Sequence, residues 1–368
     1  MSDELKAKMI DETGKSAPEW KAMPPVLIRK AEIDAEIERL SKLPTPENGR
    51  RQTSIVHPYH GLSGLAPGIK VKICVLNPGE RTAPVRENAT QVNFCIQGGG
   101  SIVINGKPRA YAKYDTFNIP SWHVYEHVND TDEVQVRLCY SNAALLEKMR
   151  VHIVDENPPA PGEEAAAAAK AESGEKHEAQ KHPFGTFQIT DEGAYLMPYE
   201  TLVNPDVVES KALHWPWKLV KENLDKLANL GQEYRGRRLY LMYNPSTGRT
   251  NGITNNFFAT ITIRPPKISD RPHRHVSAAI NYFFSGSGHS IVENKRYEWS
   301  AGDLMLTAPG WARHCHNSHD EAVYELTIQD SPLNIAMESL LWQEDLGKPA
   351  SVLGAMHGFD TNREALAK

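Results

Sequence analysis

The chain has 368 residues, which is enough for two domains with hydrophobic cores of their own. Its formal net charge is -5 without a long block of one sign, so neither nucleic acid nor an anionic membrane is an expected partner. The four cysteines (Cys74, Cys95, Cys139 and Cys315) form no CxxC pair, which argues against a disulfide scaffold or a zinc ribbon. The first twenty residues mix acids and bases and no apolar run could span a membrane, so we expect no secretory signal and a cytoplasmic location.

The N-terminal part predicts a helical arm followed by a strand-rich domain. "IRKAEIDAEIERLSKL" (Ile28 to Leu43) spaces its apolar residues at helical intervals, and Pro44 and Pro46 then end the helix. We assign residues 1–50 to this arm. Residues 51–145 contain short β-branched runs interrupted by Gly, Pro and Asn, which indicates antiparallel strands.

Residues 146–235 have the composition of a linker. Their first half is poor in large apolar side chains and looks solvated, although its alanine run could form a short helix. "HWPWKLVKENLDKLANLG" (His214 to Gly231) then has helical periodicity and a glycine stop. A second strand-rich domain is predicted for residues 236–345, and residues 346–368 form a tail.

The two strand-rich stretches repeat each other. "QGGGSIVINGK" (Gln97 to Lys107) matches "SGSGHSIVENK" (Ser285 to Lys295) once His289 is treated as an insertion. Further on, "YDTFNIPSWHVYEHVN" matches "GDLMLTAPGWARHCHN", again with one extra residue in the second copy. A repeat of this length predicts two similar all-β domains, each a sandwich or barrel.

A histidine pattern in the second copy predicts a metal site. His273 and His275, in "DRPHRHVSAAINYFF", share one face of an extended strand, and His314 or His316 would come from a later strand. Three imidazoles on one face of an octahedron leave adjacent positions for a substrate and dioxygen. The alternative is that these are surface or hydrogen-bonding histidines, but two HxH pairs favour a metal. Cys315 faces the other way and is expected to pack as a buried thiol.

These motifs resemble the cupin superfamily, and their duplication resembles a bicupin. "RPHRH" fits the first cupin motif and "GDLMLTAPGWARHCH" the second, while "HWPW" and "RRLYLMYNP" resemble the gentisate 1,2-dioxygenase group, which includes salicylate and 1-hydroxy-2-naphthoate dioxygenases. The resemblance implies an all-β-dominated fold of two cupin barrels (double-stranded β-helices, or jelly rolls). A helical N-terminal arm and a helical inter-domain linker would complete it.

The resemblance also implies roles for individual residues. In the family pattern the first histidine of the second motif binds iron and the second lies beside the substrate. Carried over, His273, His275 and His314 are the metal ligands and His316 is the catalytic residue that handles protons. The implied cofactor is Fe(II); Mn(II), Ni(II) and Zn(II) are alternatives that the sequence does not separate.

The first copy has lost this set of ligands. Alignment of the two glycine-rich turns places Val85, Glu87, Tyr125 and His127 opposite His273, His275, His314 and His316. Valine cannot bind a metal, so the N-terminal cupin is predicted to be structural or regulatory. This departs from the gentisate dioxygenases, in which the N-terminal copy is usually the catalytic one.

Three residues are predicted to contact the substrate: Arg238, Asn281 and Trp311. Asn281 stands where the gentisate group has an arginine that holds the substrate carboxylate, and Asn cannot make that bidentate ion pair. Gentisate is therefore expected to be a poor substrate, although Asn281 could also be a buried residue that satisfies backbone groups. Strand alternation allows only one of Arg237 and Arg238 to face inward, and Arg238 is favoured. The alternatives are that the arginine is a solvated residue at the end of a strand and that Trp311 is part of the hydrophobic core.

The predicted function is an Fe(II)-dependent, extradiol-type dioxygenase that cleaves a hydroxylated, carboxylated aromatic ring. Its partners would be the aromatic substrate and dioxygen, in a homo-oligomer whose N-terminal arm packs on a neighbouring subunit or wraps its own domain. A non-oxidative metal-dependent lyase, hydrolase or decarboxylase is the first alternative, because the fold alone does not decide the chemistry. The second alternative is a bicupin that binds a small molecule without catalysis, but the metal ligands present in the C-terminal repeat argue against it.

Overall fold

Two β-barrels of similar build account for most of the computed structural model, which describes residues 7–59, 61–160, 162–163, 185–199, 208–230 and 237–356. The N-terminal barrel contains a six-stranded antiparallel sheet, in spatial order His214–Trp215 (β14), Thr116–Ile119 (β8), Gln91–Gln97 (β5), Gln135–Ser141 (β10), Lys70–Leu76 (β3) and Arg51–Ile55 (β2). A three-stranded sheet packs against it and consists of Lys107–Tyr111 (β7), Gly100–Ile104 (β6) and Tyr125–Val128 (β9). A separate two-stranded sheet pairs Arg86–Glu87 (β4) with Val154–Asp155 (β11).

The C-terminal barrel repeats this arrangement. Its six-stranded antiparallel sheet runs Val26–Ile28 (β1), Leu304–Pro309 (β21), Ala278–Ser285 (β18), Val323–Gln329 (β23), Phe258–Arg264 (β16) and Leu239–Leu241 (β15). Two three-stranded sheets complete this barrel. The first contains Lys295–Ser300 (β20), Ser287–Val292 (β19) and His314–Ser318 (β22), and the second contains Arg274–His275 (β17), Leu341–Gln343 (β24) and Ser351–Val352 (β25). A small hairpin, Phe187–Gln188 (β12) with Tyr195–Leu196 (β13), belongs to neither barrel sheet.

Helices are few and short in the described residues: Lys30–Ser41 (α1), Ala143–Met149 (α2), Trp217–Ala228 (α3) and Ser331–Ala336 (α4), with a 3₁₀ helix at Pro245–Thr250. The predicted helices in the arm and in the linker correspond to α1 and α3. In α1, Ile33 and Leu40 are buried at helical spacing, and the Glu32 carboxylate accepts a hydrogen bond from the Arg29 amide at the start of the helix. The predicted solvated segment with the alanine run, residues 164–184, lies outside the described residues.

The two six-stranded sheets pack on each other through an aromatic core. The Phe94 ring lies 5.3 Å from the Phe284 ring and 5.9 Å from the Tyr282 ring, and all three side chains are buried. β5 and β18 are therefore covered on both faces, and every residue of the two strands except Gln97 and Ser285 is buried, including the polar Gln91, Asn93 and Asn281. The prediction of two cupin barrels in an all-β-dominated chain is confirmed.

The N-terminal arm connects the two barrels of its own chain. β1 pairs with β21 at the edge of the C-terminal sheet, while α1 packs on β2 and β3 of the N-terminal barrel. The Lys30 amide donates to the Asp303 carboxylate at 2.7 Å, which fixes the turn between β1 and α1. Across the described ranges, none of the helices has the length and apolar character needed to cross a membrane.

Candidate metal centre

Three histidines of the C-terminal barrel meet because two strand segments pair directly at this point. His273 and His314 face each other across an antiparallel bridge, with backbone hydrogen bonds of 3.1 and 3.0 Å in the two directions. His275 lies two residues along the same segment and therefore points the same way. One nitrogen from each ring lies within 4.8 Å of the other two, and all three side chains are buried.

The hydrogen bonds of the three rings leave the same atom available on each. Every Nδ1 lies at hydrogen-bond distance from a backbone carbonyl: Arg271 for His273 at 3.1 Å, Ser277 for His275 at 2.9 Å and Ala312 for His314 at 2.9 Å. A carbonyl can only accept, so Nδ1 carries the proton and Nε2 keeps its lone pair. Nε2 of His275 is buried and has no hydrogen-bond partner among the described residues.

Burial keeps these imidazoles neutral. It holds the pKa of His273 and His314 well below the ordinary value and lowers the pKa of His275 to about 4. Neutral imidazoles that donate Nδ1–H to carbonyls and present Nε2 to one point are the form in which histidine binds a metal. The donor set therefore fits the iron that the cupin resemblance implies.

His316 differs from the three in its hydrogen bonds. Its Nδ1 lies 2.8 Å from the Ser290 hydroxyl, which also accepts a hydrogen bond from the Trp299 indole at 2.9 Å. The indole can only donate, so it occupies one lone pair of Ser290 Oγ and leaves the hydroxyl proton and the second lone pair for the contact with His316 Nδ1. His316 is therefore held by a hydroxyl, whereas His273, His275 and His314 are each held by a backbone carbonyl.

A cavity of about 250 Å³ opens beside the three histidines, between β15, β16, β18 and β23. His273, His314 and His316 are in its wall, and so is Trp342, whose ring stacks on His275 at 4.7 Å. Sequence reasoning missed Trp342, because it reaches the site through the pairing of β24 with β17 and has no local signal. The cavity is slightly smaller than the usual range for ligand pockets, about 300–1,000 Å³.

Asn281 lines the cavity, and its side-chain amide is hydrogen-bonded to three neighbouring side chains. Its Nδ2 donates to the Glu325 carboxylate and, at 3.0 Å, to Thr327 Oγ1, and its Oδ1 accepts from Thr307. The alternative of a buried, satisfied Asn therefore matches these contacts, with side chains and not backbone groups as its partners. Glu325 was not predicted, although a charged residue inside the apolar run "VYELTIQ" was a usable signal.

Glu325 belongs to a buried ion triplet at the cavity floor. Arg264 donates to Glu325 at 2.9 Å and to Asp270 at 2.8 Å. Burial alone would raise the pKa of Glu325, but the Arg264 guanidinium outweighs it and holds that pKa at about 2. The floor of the cavity is therefore anionic.

Two arginines, Arg237 and Arg238, also line the cavity. The pair precedes β15, so strand alternation does not decide which of the two side chains faces inward. Arg237 Nη2 contacts both carboxylate oxygens of Glu344, at 2.7 and 2.9 Å. Burial is the main cause of the low pKa of His273, and the positive charge of Arg237 is the next largest cause. Arg237 is therefore close enough to interact electrostatically with the three histidines.

Trp311, predicted as a substrate contact, needs correction. Its ring lies under the Arg274 guanidinium, 4.4 Å from the ring centroid, and is not part of the cavity wall. By alternation Arg274 points away from His273 and His275, and Trp311 packs on that outer side. Trp342 supplies the aromatic wall instead.

The N-terminal barrel keeps the backbone of this site and replaces its chemistry. Val85 and Tyr125 form the antiparallel bridge that corresponds to His273 and His314. The Glu87 carboxylate is occupied by Tyr125 Oη at 3.0 Å and by His152 Nε2 at 2.8 Å. Among the described residues of this barrel, no three potential metal ligands come together.

Comparison with known proteins gives a consistent picture. No family model matches the chain. It is 23% identical over 324 residues to a 5-aminosalicylate 1,2-dioxygenase of Comamonas sp., covering 84% of this chain and 78% of the relative. It is 23% identical over 310 residues to a gentisate 1,2-dioxygenase of Haloferax sp., covering 83% and 82%.

Solved structures show the same fold. The salicylate 1,2-dioxygenase of Pseudaminobacter salicylatoxidans superimposes with a TM-score of 0.69 at 17% identity, over 91% of each chain. At this coverage the likeness includes both barrels. The resemblance seen in the sequence motifs is thereby confirmed: the chain has the fold of two cupin barrels and is similar to the gentisate and salicylate 1,2-dioxygenases.

Proposed function

We propose that this chain is an Fe(II)-dependent, extradiol-type dioxygenase that cleaves the ring of a hydroxylated and carboxylated aromatic compound. The relatives confirm the enzyme class that the motifs predicted, a ring-cleaving dioxygenase. The observation that carries the proposal is the convergence of His273, His275 and His314, one ring nitrogen of each within 4.8 Å of the other two, beside a cavity of about 250 Å³.

The three histidines would hold the metal, with Mn(II), Ni(II) and Zn(II) as alternatives to Fe(II). When bound, Fe(II) would supply electrons and neighbouring coordination positions for dioxygen and the substrate oxygens. The chain's own contribution is to keep the three imidazoles neutral and fixed, since each Nδ1–H is tied to a backbone carbonyl.

The distribution of charge supports one orientation of the substrate. Arg237 and Arg238 provide cations at one side of the cavity, and Glu325 provides a buried anion at the floor. A substrate carboxylate is therefore attracted to the arginines and repelled from Glu325. Asn281 contributes by holding Glu325 in place, and Trp342 supplies an apolar wall for the ring.

His316 is proposed to handle protons during the reaction. The contact with Ser290 orients the His316 ring in the wall of the cavity. Burial lowers the pKa of His316, so the ring is neutral near pH 7 and can take up a proton from the substrate and later return it. The Trp299 indole donates a hydrogen bond to Ser290 and so affects the position of His316 indirectly.

We also propose that the enzyme is a homo-oligomer. Residues 7–20 of the arm are exposed, including Met9, Ile10 and Trp20, while β1 and α1 beyond them are anchored on their own chain. Large apolar side chains exposed in this way are suited to contact a neighbouring subunit. Light scattering on the full chain tests this, and a monomer at micromolar concentration would contradict it.

The function is tested with an oxygen electrode. The chain is loaded anaerobically with Fe(II) and mixed with salicylate, gentisate, 5-aminosalicylate or 1-hydroxy-2-naphthoate. At least one compound is expected to consume one dioxygen per ring lost from the ultraviolet spectrum, with gentisate among the poorer ones. His275→Ala removes this uptake, and His123→Ala, a histidine of the N-terminal barrel that bonds the Ser121 carbonyl, is the matched control.

The contrary outcome is also informative. If the Fe(II)-loaded chain consumes no oxygen with any of these compounds but converts a non-aromatic substrate without oxygen, the dioxygenase proposal is wrong. The chain would then be a metal-dependent lyase, hydrolase or decarboxylase built on the same histidines.

A further inference from the structure

The sheet that carries His314 and His316 has a second cluster of ligand-type side chains on its other face. Strand alternation in β19, β20 and β22 sends Ser290, His314 and His316 inward. It sends His289 outward, directly opposite Glu298 on β20 and Asn317 on β22. His319, two residues beyond Asn317, lies on the same outer side.

The distances in this cluster are those of metal ligands. His319 Nε2 lies 3.4 Å from His289 Nδ1 and 3.3 Å from a Glu298 carboxylate oxygen. Both separations are longer than a good hydrogen bond, which centres at about 2.9 Å. They match the edge of a tetrahedron, about 3.3–3.4 Å, around a zinc ion with bonds of about 2.0–2.1 Å to nitrogen and oxygen.

The surroundings keep these atoms in a ligating form. His319 Nδ1 faces Ser287 Oγ, at 3.4 Å, on the opposite side of the ring from Nε2, so Nε2 is the nitrogen directed at the cluster. Burial lowers the pKa of His289, and the hydrogen bond from Arg296 lowers the pKa of Glu298, so the imidazole is neutral and the carboxylate ionised near pH 7. Arg296 contacts one carboxylate oxygen of Glu298, and His319 lies by the other.

We propose that His289, Glu298 and His319 form a second metal site, which binds Zn²⁺ or a similar divalent transition ion. Two imidazoles and a carboxylate suit such an ion, and the exposed side of the cluster leaves a fourth position for water. The bound ion would join β19 and β20 to the turn after β22, the strand of His314 and His316. The first repeat lacks the inserted His289, so this site belongs to the C-terminal barrel.

Metal stoichiometry tests the proposal without reference to ring cleavage. The chelator-treated full chain is equilibrated with ZnSO₄, and bound zinc is measured after ultrafiltration. Wild-type chain is expected to bind one equivalent more than His289→Ala or His319→Ala, with His123→Ala equal to wild type. Arg296→Ala removes a cation that competes for Glu298, so the zinc of this site should bind about threefold more tightly.

Circular dichroism shows whether each variant is folded, and both histidines lie at the surface of the sheet, where alanine is tolerated. If wild type, His289→Ala and His319→Ala bind the same number of zinc equivalents, the cluster is a hydrogen-bonded surface group and the proposal is overturned. The proposal survives a failure of the dioxygenase assay, because His275→Ala is expected to keep this zinc.

Discussion

Replacing Arg264 by Met removes the cation of the buried triplet beneath the cavity and leaves a side chain of similar length. Arg264 is 4% exposed and Glu325 is 2% exposed, so neither charge is compensated by water. Removing one partner of a buried ion pair costs about 3–5 kcal/mol, because the other charge stays buried and unpaired. We expect Arg264→Met to lose folding free energy of that size near neutral pH.

The pKa of Glu325 points in the same direction. It is about 2 in the folded chain, against an ordinary value of 4.5, because the Arg264 charge outweighs the effect of burial. A depressed folded-state pKa contributes stability that is present above the unfolded pKa and is lost as the pH falls through the folded value. The ionised carboxylate therefore stabilises the folded chain at neutral pH.

In Arg264→Met, burial becomes the dominant influence and raises the pKa of Glu325. The carboxyl then folds protonated at low pH, so the stability lost relative to wild type should be smaller at about pH 4 than at about pH 8. Urea unfolding followed by circular dichroism measures this difference. Arg296→Met, which breaks a surface pair with Glu298, is the control and should cost at most about 1 kcal/mol at either pH. An equal loss for Arg264→Met at both pH values would refute the reasoning.

Two further variants test the residues around the three histidines. Ser290→Ala removes the hydroxyl that orients the His316 ring, so kcat should fall about tenfold while the iron content stays the same and the pH profile shifts. Steady-state kinetics with metal analysis would contradict this if iron and kcat fell together. Arg237→Ala should raise KM for carboxylated substrates by about tenfold or more with a smaller change in kcat, since it removes a cation that attracts the carboxylate. An unchanged KM would assign that role to Arg238.

Local sequence patterns predicted those parts of the site that depend on one strand at a time. The HxH spacing placed His273 and His275 on one face, and the repeat placed Tyr125 opposite His314, a correspondence that the two antiparallel bridges reproduce. Residues that reach the cavity through long-range pairing were missed. Trp342 depends on the pairing of β24 with β17, and nothing in its own neighbourhood reveals this.

The same distinction applies to the fold. The helices α1 and α3 follow from apolar spacing within a dozen residues, whereas β1 becomes a strand because the edge of β21 is available to it, nearly 280 residues away. Arg237 and Arg238 show a different limit of sequence patterns. They precede β15, and strand alternation predicts side-chain direction only within a strand. The position of Trp311 against Arg274 likewise depends on which strand face was free to pack.

The most direct test of a metal held by His273, His275 and His314 compares two histidines that stand two residues apart on β22. His314→Ala and His316→Ala are loaded anaerobically with Fe(II), desalted, and assayed for bound iron and for oxygen uptake with an active substrate. We predict that His314→Ala loses both iron and oxygen uptake, and that His316→Ala keeps its iron and loses most of its uptake. Iron retained in His314→Ala, or lost to the same extent in His316→Ala, would contradict the assignment of the metal centre.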